Sequence, residues 1–216
     1  HLTYEGDTYM KMIDGSCVEF ADKLASKAAV PGGGGAAALV GALGTALASM
    51  VVNLTLGKKK YAEFEEVNKE IMAKALKIQE ELLEMVDQDA ENFLPLSKAY
   101  GLPKETEEEK KYKEETLEKC LIVACGVPVD IVKKTYEAIL LHEELVDKGS
   151  KLAISDVGVG VQCLRAALIS GWLNVLININ MIKDEAYVAK INEEIRPLVA
   201  KGTKIADEVY SKVEEM

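Results

Sequence analysis

Histidine is almost missing from this chain: of 216 residues, only His1 and His142 carry an imidazole. That scarcity argues against a histidine-rich metal site, a Ser-His-Asp triad or a Cys-His dyad. Acid–base work near neutral pH therefore falls to Asp, Glu, Lys or Tyr. Cysteine is sparse as well. Cys17, Cys120, Cys125 and Cys163 contain no CxxC pair and are too scattered for a disulfide framework, which fits reduced thiols in a cytoplasmic protein. Nor is there a surplus of positive charge, since 26 Lys and Arg stand against 36 Asp and Glu for a formal charge of -10. A phosphate backbone or an anionic membrane needs a dominant basic surface, so neither is an expected partner. An anionic ligand must be met locally. The first residues lack a basic region followed by an apolar run, so no secretory signal is read there, and residues 1–12 are set aside as a terminal tail.

Hydrophobic residues make up 49% of the chain, enough for one sizeable core, and residues 13–216 are read as a single domain. Helical periodicity dominates and alternating strand patterns are absent, so the expected class is all-α. The expected architecture is a multihelical bundle in which two buried central helices, about 34–56 and 157–182, are surrounded by longer amphipathic ones. Ser16 and Glu19 have capping-box spacing, and Pro31 is expected to end the helix they open. The stretch 28–57 is uncharged and long enough to raise the question of a membrane span. Its Ala and Gly content, with polar Thr45, Ser49, Asn53 and Thr55, favours a core helix instead. Gly41 and Gly44 inside it suggest that another backbone or a ligand approaches closely. An amphipathic helix is expected over about 61–94, ended or kinked at Pro95. The charge-rich segment 104–119 reads as a solvated helical face. Gly126-Val127-Pro128 is expected to interrupt the chain before a helix that ends at Lys148 with a left-handed cap at Gly149. Ser155-Asp156 is expected to cap the second apolar helix.

Four features carry chemistry. Pro31-Gly32-Gly33-Gly34-Gly35 opens an apolar helix and bares backbone N–H groups, though it matches neither GxGxxG nor GxxxxGK[ST]. Lys58, Lys59 and Lys60 supply positive charge at the far end of that helix. At about 100° per residue, Asp89 falls within the apolar stripe of Leu82, Val86, Ala90 and Phe93, while Asp87 lies toward the margin with Glu80, Glu84 and Glu91. A carboxylate on an apolar face must be paired, hydrogen-bonded or partly neutralised. It is then either a structural cap or ion pair, or a group tuned for proton transfer. Asn174 and Asn178, spaced i,i+4, either read a polar heterocycle or pair between helices.

In this order, the segments Ser16-Cys-Val-Glu-Phe20, Pro31-Gly-Gly-Gly-Gly-Ala-Ala-Ala-Leu39, Asn53-Leu-Thr-Leu-Gly-Lys-Lys-Lys-Tyr61, Asp87-Gln-Asp-Ala-Glu-Asn-Phe93, Ser155-Asp-Val-Gly-Val-Gly160 and Asn174-Val-Leu-Ile-Asn178 form a recognisable set. The chain resembles the cyclodeaminase/methenyltetrahydrofolate cyclohydrolase family, helical folate enzymes found alone in bacteria and as the C-terminal part of formiminotransferase-cyclodeaminase. The resemblance implies that Gly32, Gly33, Gly34 and Gly35 bring backbone close to a folate. It also implies that Asp89 is the main catalytic carboxylate, with Asp87 as the second candidate. Lys58, Lys59 and Lys60 would meet the anionic glutamate tail, and Asn174 and Asn178 the ligand or a partner helix. Gly35 stands where relatives often have serine. The implied reaction is hydrolysis of 5,10-methenyltetrahydrofolate to 10-formyltetrahydrofolate. The alternative is cyclodeamination of 5-formiminotetrahydrofolate, and readings of another class are a non-catalytic folate binder or a structural bundle. No bound cofactor or metal is expected, a tetrahydrofolate derivative being the substrate, and a homodimer is implied.

Overall fold

The computed structural model describes the backbone of residues 3–4 and 8–216 and the side chains of residues 10–216. Among the described residues, six α-helices carry the fold: α1 (Cys17–Leu24), α2 (Gly33–Asn53), α3 (Glu65–Tyr100), α4 (Glu107–Leu145), α5 (Ile154–Ile179) and α6 (Glu185–Glu215). Short 3-10 turns occupy Met12–Asp14 and Lys59–Phe64. A minimal antiparallel ladder, Thr3–Tyr4 with Thr8–Tyr9, precedes the bundle.

The two apolar helices lie side by side and antiparallel. Their spacing follows from residues too small to hold them apart: a Cβ on Gly44 would stand 2.9 Å from the Gly160 carbonyl oxygen, and one on Gly160 would stand 3.1 Å from that of Gly44. The close approach expected at Gly41 and Gly44 is thus an α2–α5 backbone contact, with Thr135 of α4 pressed against Gly41. The fully buried His142 of α4 adds a polar tie, its Nε2–H donating to the Gly44 carbonyl at 2.9 Å. Burial pushes this imidazole down to about 4 against the opposing pull of the Gly44 bond, so it is neutral at pH 7. α3 and α4 cover one side of the pair and α6 lies along α5. Arg196 of α6 stacks over Trp172 of α5, 5.0 Å from the ring.

Several expected boundaries move. α3 runs through Pro95 to Tyr100 because Leu96 and Ala99 are buried beyond it. α4 likewise passes through Gly126-Val127-Pro128 without a break. Proline removes one ladder hydrogen bond and costs about 3 kcal/mol in a helix, but burial of Ala124, Cys125, Val127, Val129 and Ile131 outweighs that loss. α1 stops at Leu24, well before Pro31, which follows a cis peptide bond. The apolar helices span 33–53 and 154–179 rather than 34–56 and 157–182. Ser155 and Asp156 lie inside the first turn of α5, whose N-cap is Ala153 with no side-chain bond. Among the described residues, the glycine with positive φ is Gly57 at 80°, in the turn after α2, and not Gly149. The Gly149 N–H instead returns to the Leu145 carbonyl at 2.8 Å.

Candidate active site

The first turn of a helix has N–H groups without intrahelical partners, and at α2 these belong to the glycine run. Gly32 is the N-cap and offers no side-chain bond, while its carbonyl accepts from the Ala36 N–H at 3.0 Å. α3 crosses this turn and seats Asp89 on Gly34. A Cβ on Gly34 would lie 2.6 Å from the Asp89 Cγ and 2.7 Å from Oδ1, so no larger residue fits while the carboxylate stays in place. The four glycines differ. Gly35 packs on Pro31 and Val86, Gly33 faces the Asn174 amide at 3.5 Å, and Gly32 opens onto empty space.

Leu82, Val86 and Ala90 are buried as expected of the apolar stripe, Asp89 is half-buried beside them, and Phe93 turns outward. The Asp89 carboxylate makes no hydrogen bond or ion pair among the described residues. Desolvation alone pushes it up to about 6 from the usual 3.8. A carboxyl that titrates near neutrality, seated against Gly34 at a helix entrance, can both accept and return a proton.

Asp87 is not at the solvent margin. It is buried, and its Oδ1 accepts from the Met12 N–H at 2.7 Å while Oδ2 lies 3.5 Å from the Ile13 nitrogen. The reason is the segment 12–14, which folds over α3 and covers a face that the helix alone would expose. Asp87 thereby anchors the chain entry, and its oxygens are committed to backbone.

Asn174 joins the glycine end, where Gly33, Ala36, Val40, Ala166, Leu173 and Asn174 line a groove of about 310 Å³. The Asn174 amide donates to the Ser170 carbonyl at 2.8 Å, and that of Asn178, largely buried, donates to the Asn174 carbonyl at 2.9 Å. Asn178 therefore braces the helix behind Asn174 instead of lining the groove.

Lys58, Lys59 and Lys60 lie at the other end of α2. The 21 residues of α2 span about 30 Å, so the fold does not bring the lysines to Asp89. All three are exposed. Lys58 Nζ donates to Ser150 Oγ at 3.1 Å, and Lys60 Nζ stands 5.7 Å from the Tyr61 ring centre. The Tyr61 hydroxyl accepts from the Lys151 N–H at 3.0 Å. That bond holds the phenol below its ordinary value, helped by the Lys60 and Lys151 charges and opposed by burial. Buried Thr55 Oγ1 accepts from the Ser150 N–H at 2.8 Å and ties this corner together. Ser150 and Thr55 were missed in the sequence, because nothing in their spacing of 95 positions links them.

The family model described as Formiminotransferase-cyclodeaminase matches residues 16–197. The chain belongs to that family. It is 41% identical, over 90% of its own length and 93% of the relative's, to a methenyltetrahydrofolate cyclohydrolase from Methylorubrum extorquens. It is 28% identical over 99% of its length to a formimidoyltransferase-cyclodeaminase from Rattus norvegicus, of which it spans 40%. Among solved structures, a formiminotetrahydrofolate cyclodeaminase from Thermotoga maritima superposes with a TM-score of 0.80 at 28% identity, covering 95% of this chain and 96% of the other. The all-α bundle and the family resemblance read from the sequence therefore hold.

Proposed function

We propose that this chain is a methenyltetrahydrofolate cyclohydrolase, converting 5,10-methenyltetrahydrofolate to 10-formyltetrahydrofolate in the cytoplasm as a homodimer without a bound cofactor. The observation that carries the reading is the Asp89 carboxyl, seated on Gly34 at the mouth of α2 with its pKa raised to about 6. The substrate's bridging carbon lies between two nitrogens that share a positive charge, and an unpaired carboxylate stabilises that cation in a partly dry site. Water attacks the carbon as Asp89 takes one of its protons. The resulting carbinolamine then collapses: the hydroxyl gives up its proton, the bond from carbon to N5 breaks, and Asp89 returns its proton to N5. The balance is one water consumed and one proton released. In this reading the glycine backbone at the mouth of α2 and the Asn174 amide meet the polar ring, a role supported by their shared end of the groove. Asp87 takes the supporting part of holding residues 12–14 in place.

The cyclodeaminase reading uses the same carboxyl near the same carbon, with the proton passed to departing ammonia, and its support is the names of the other relatives and of the solved structure. The cyclohydrolase comes first because the relative with that name is matched at higher identity and over nearly its whole length. Methenyl absorbance separates the two. Accelerated loss from 5,10-methenyltetrahydrofolate is the expected result, appearance from 5-formiminotetrahydrofolate would reassign the reaction, and no change in either would leave a folate-binding protein.

A further inference from the structure

The apolar stripe of α3 has a member that the bundle leaves uncovered. Leu82, Val86 and Ala90 are buried, yet Phe93, next in the same row, is 37% exposed. The cause is where α2 begins. Gly41 meets Leu82, Gly35 meets Val86 and Gly34 meets Asp89, so α2 runs antiparallel to α3 and its cover stops level with Asp89. Phe93 lies one turn farther along α3, about 6 Å on, at the end of the bundle where Gly32 faces empty space. Farther out, α3 and the chain leaving α5 meet again, the Tyr100 hydroxyl donating to Met181 Sδ at 3.4 Å. A recess beyond the mouth of α2 is thus bordered by Asp89 and Phe93 on one side and by Asn174, against Gly33, on the other.

A single exposed apolar side chain is ordinary on a protein surface. Position gives this one meaning. Phe93 and Asp89 are i,i+4 neighbours with about 5–6 Å between their Cβ atoms, and helical side chains lean toward the N-terminus, which carries the phenyl ring back toward the carboxyl. The recess therefore has a polar wall at Asn174, a carboxyl at Asp89 and an aromatic wall at Phe93. The substrate has the same division. Its bridging carbon joins N5 of a polar, hydrogen-bonding ring to N10, and N10 carries a benzoyl ring that has little to hydrogen-bond. That ring is conjugated to the cationic centre and is electron-poor, so the electron-rich face of a phenylalanine attracts it.

Resting on the cyclohydrolase reading, we propose that Phe93 determines specificity for the aryl group on N10: its ring stacks on the substrate's benzoyl ring and so sets the bridging carbon at Asp89. Phe93 moves no proton. Its part is in binding, and the aromatic face is what it supplies.

The split between KM and kcat tests this. Phe93→Ala should raise KM for 5,10-methenyltetrahydrofolate roughly tenfold, the worth of one aromatic pair, with kcat within about twofold of wild type and the inflection near pH 6 in place. Phe93→Tyr should restore KM. Phe93→Leu, apolar but without an aromatic face, should not, and it carries the same test if the alanine variant fails to fold. An unchanged KM in Phe93→Leu, or a fall in kcat at unchanged KM, overturns the proposal and leaves the reaction standing. A methenyl analogue with methyl in place of aryl on N10 should be handled equally by wild type and Phe93→Leu, and a tenfold difference there overturns the stacking role as well. A wild type that turns over neither folate overturns the reaction instead. Binding then decides Phe93: in calorimetric titration 5-formyltetrahydrofolate, which keeps the aryl ring on N10, should bind Phe93→Leu roughly tenfold more weakly than wild type, and equal or absent affinity sinks the proposal.

Discussion

Asp87 and Asp89 stand two residues apart on one helix and have opposite fates. Asp87 is the more deeply buried, yet its oxygens meet a backbone N–H at 2.7 Å and another nearby, the partners that water would otherwise provide. Asp89 has more solvent and no such partner, and its proton is held up to about 6. Burial comes with donors at one aspartate and without them at the other. What decides is whether hydrogen-bond donors come with the burial.

The sharpest way to break this comparison is to remove each charge in turn. Asp89→Asn should lower kcat by roughly 10²- to 10⁴-fold, the usual worth of a general acid–base group, while leaving thermal stability equal or higher, as methenyl kinetics and calorimetry will report. Gly34→Ala should come next. Its Cβ cannot coexist with the carboxylate, and a displacement of about 1 Å at a reacting group costs on the order of 10²-fold, so kcat/KM should fall while Gly32→Ala, facing open space, stays near wild type. A smaller effect is the pH profile: kcat/KM should rise about tenfold per pH unit below an inflection near 6 and flatten above it, and Asp89→Asn should remove that limb. Last, Asp87→Ala should leave the pH inflection in place and cost about 1–3 kcal/mol in urea unfolding, because the Met12 and Ile13 N–H groups lose their acceptor. A Tm change from Asp89→Asn as large as that from Asp87→Ala, with turnover retained, would dissolve the distinction.

The helices were legible because apolar periodicity is a property of each segment alone, and Asp89 was legible as a charge in the wrong stripe. Asp87 was misjudged since the segment that covers it lies 75 positions away. The proline positions misled for a related reason: local propensity at Pro95 and Pro128 is outweighed by burial that only the assembled bundle supplies. The glycine run and the lysines read together as one site because they flank one helix, and the length of that helix is what separates them. Small residues at Gly41 and Gly44 told the truth about close approach, but not that the neighbours would be Thr135 and Gly160.

The His142 bond to Gly44 gives the fold a proton ledger of its own. Unfolded, this imidazole binds a proton below its usual 6.5, whereas folded it waits until about 4, so between those values the unfolded chain holds the extra proton and stability rises with pH. Asp89 works the other way. Its folded form keeps a proton up to about 6 that the unfolded chain releases above 3.8, and stability falls with rising pH across that window. The two slopes oppose one another over the same mildly acidic range, so the raised carboxyl against Gly34 is counterweighted by an imidazole at the crossing of α2, α4 and α5.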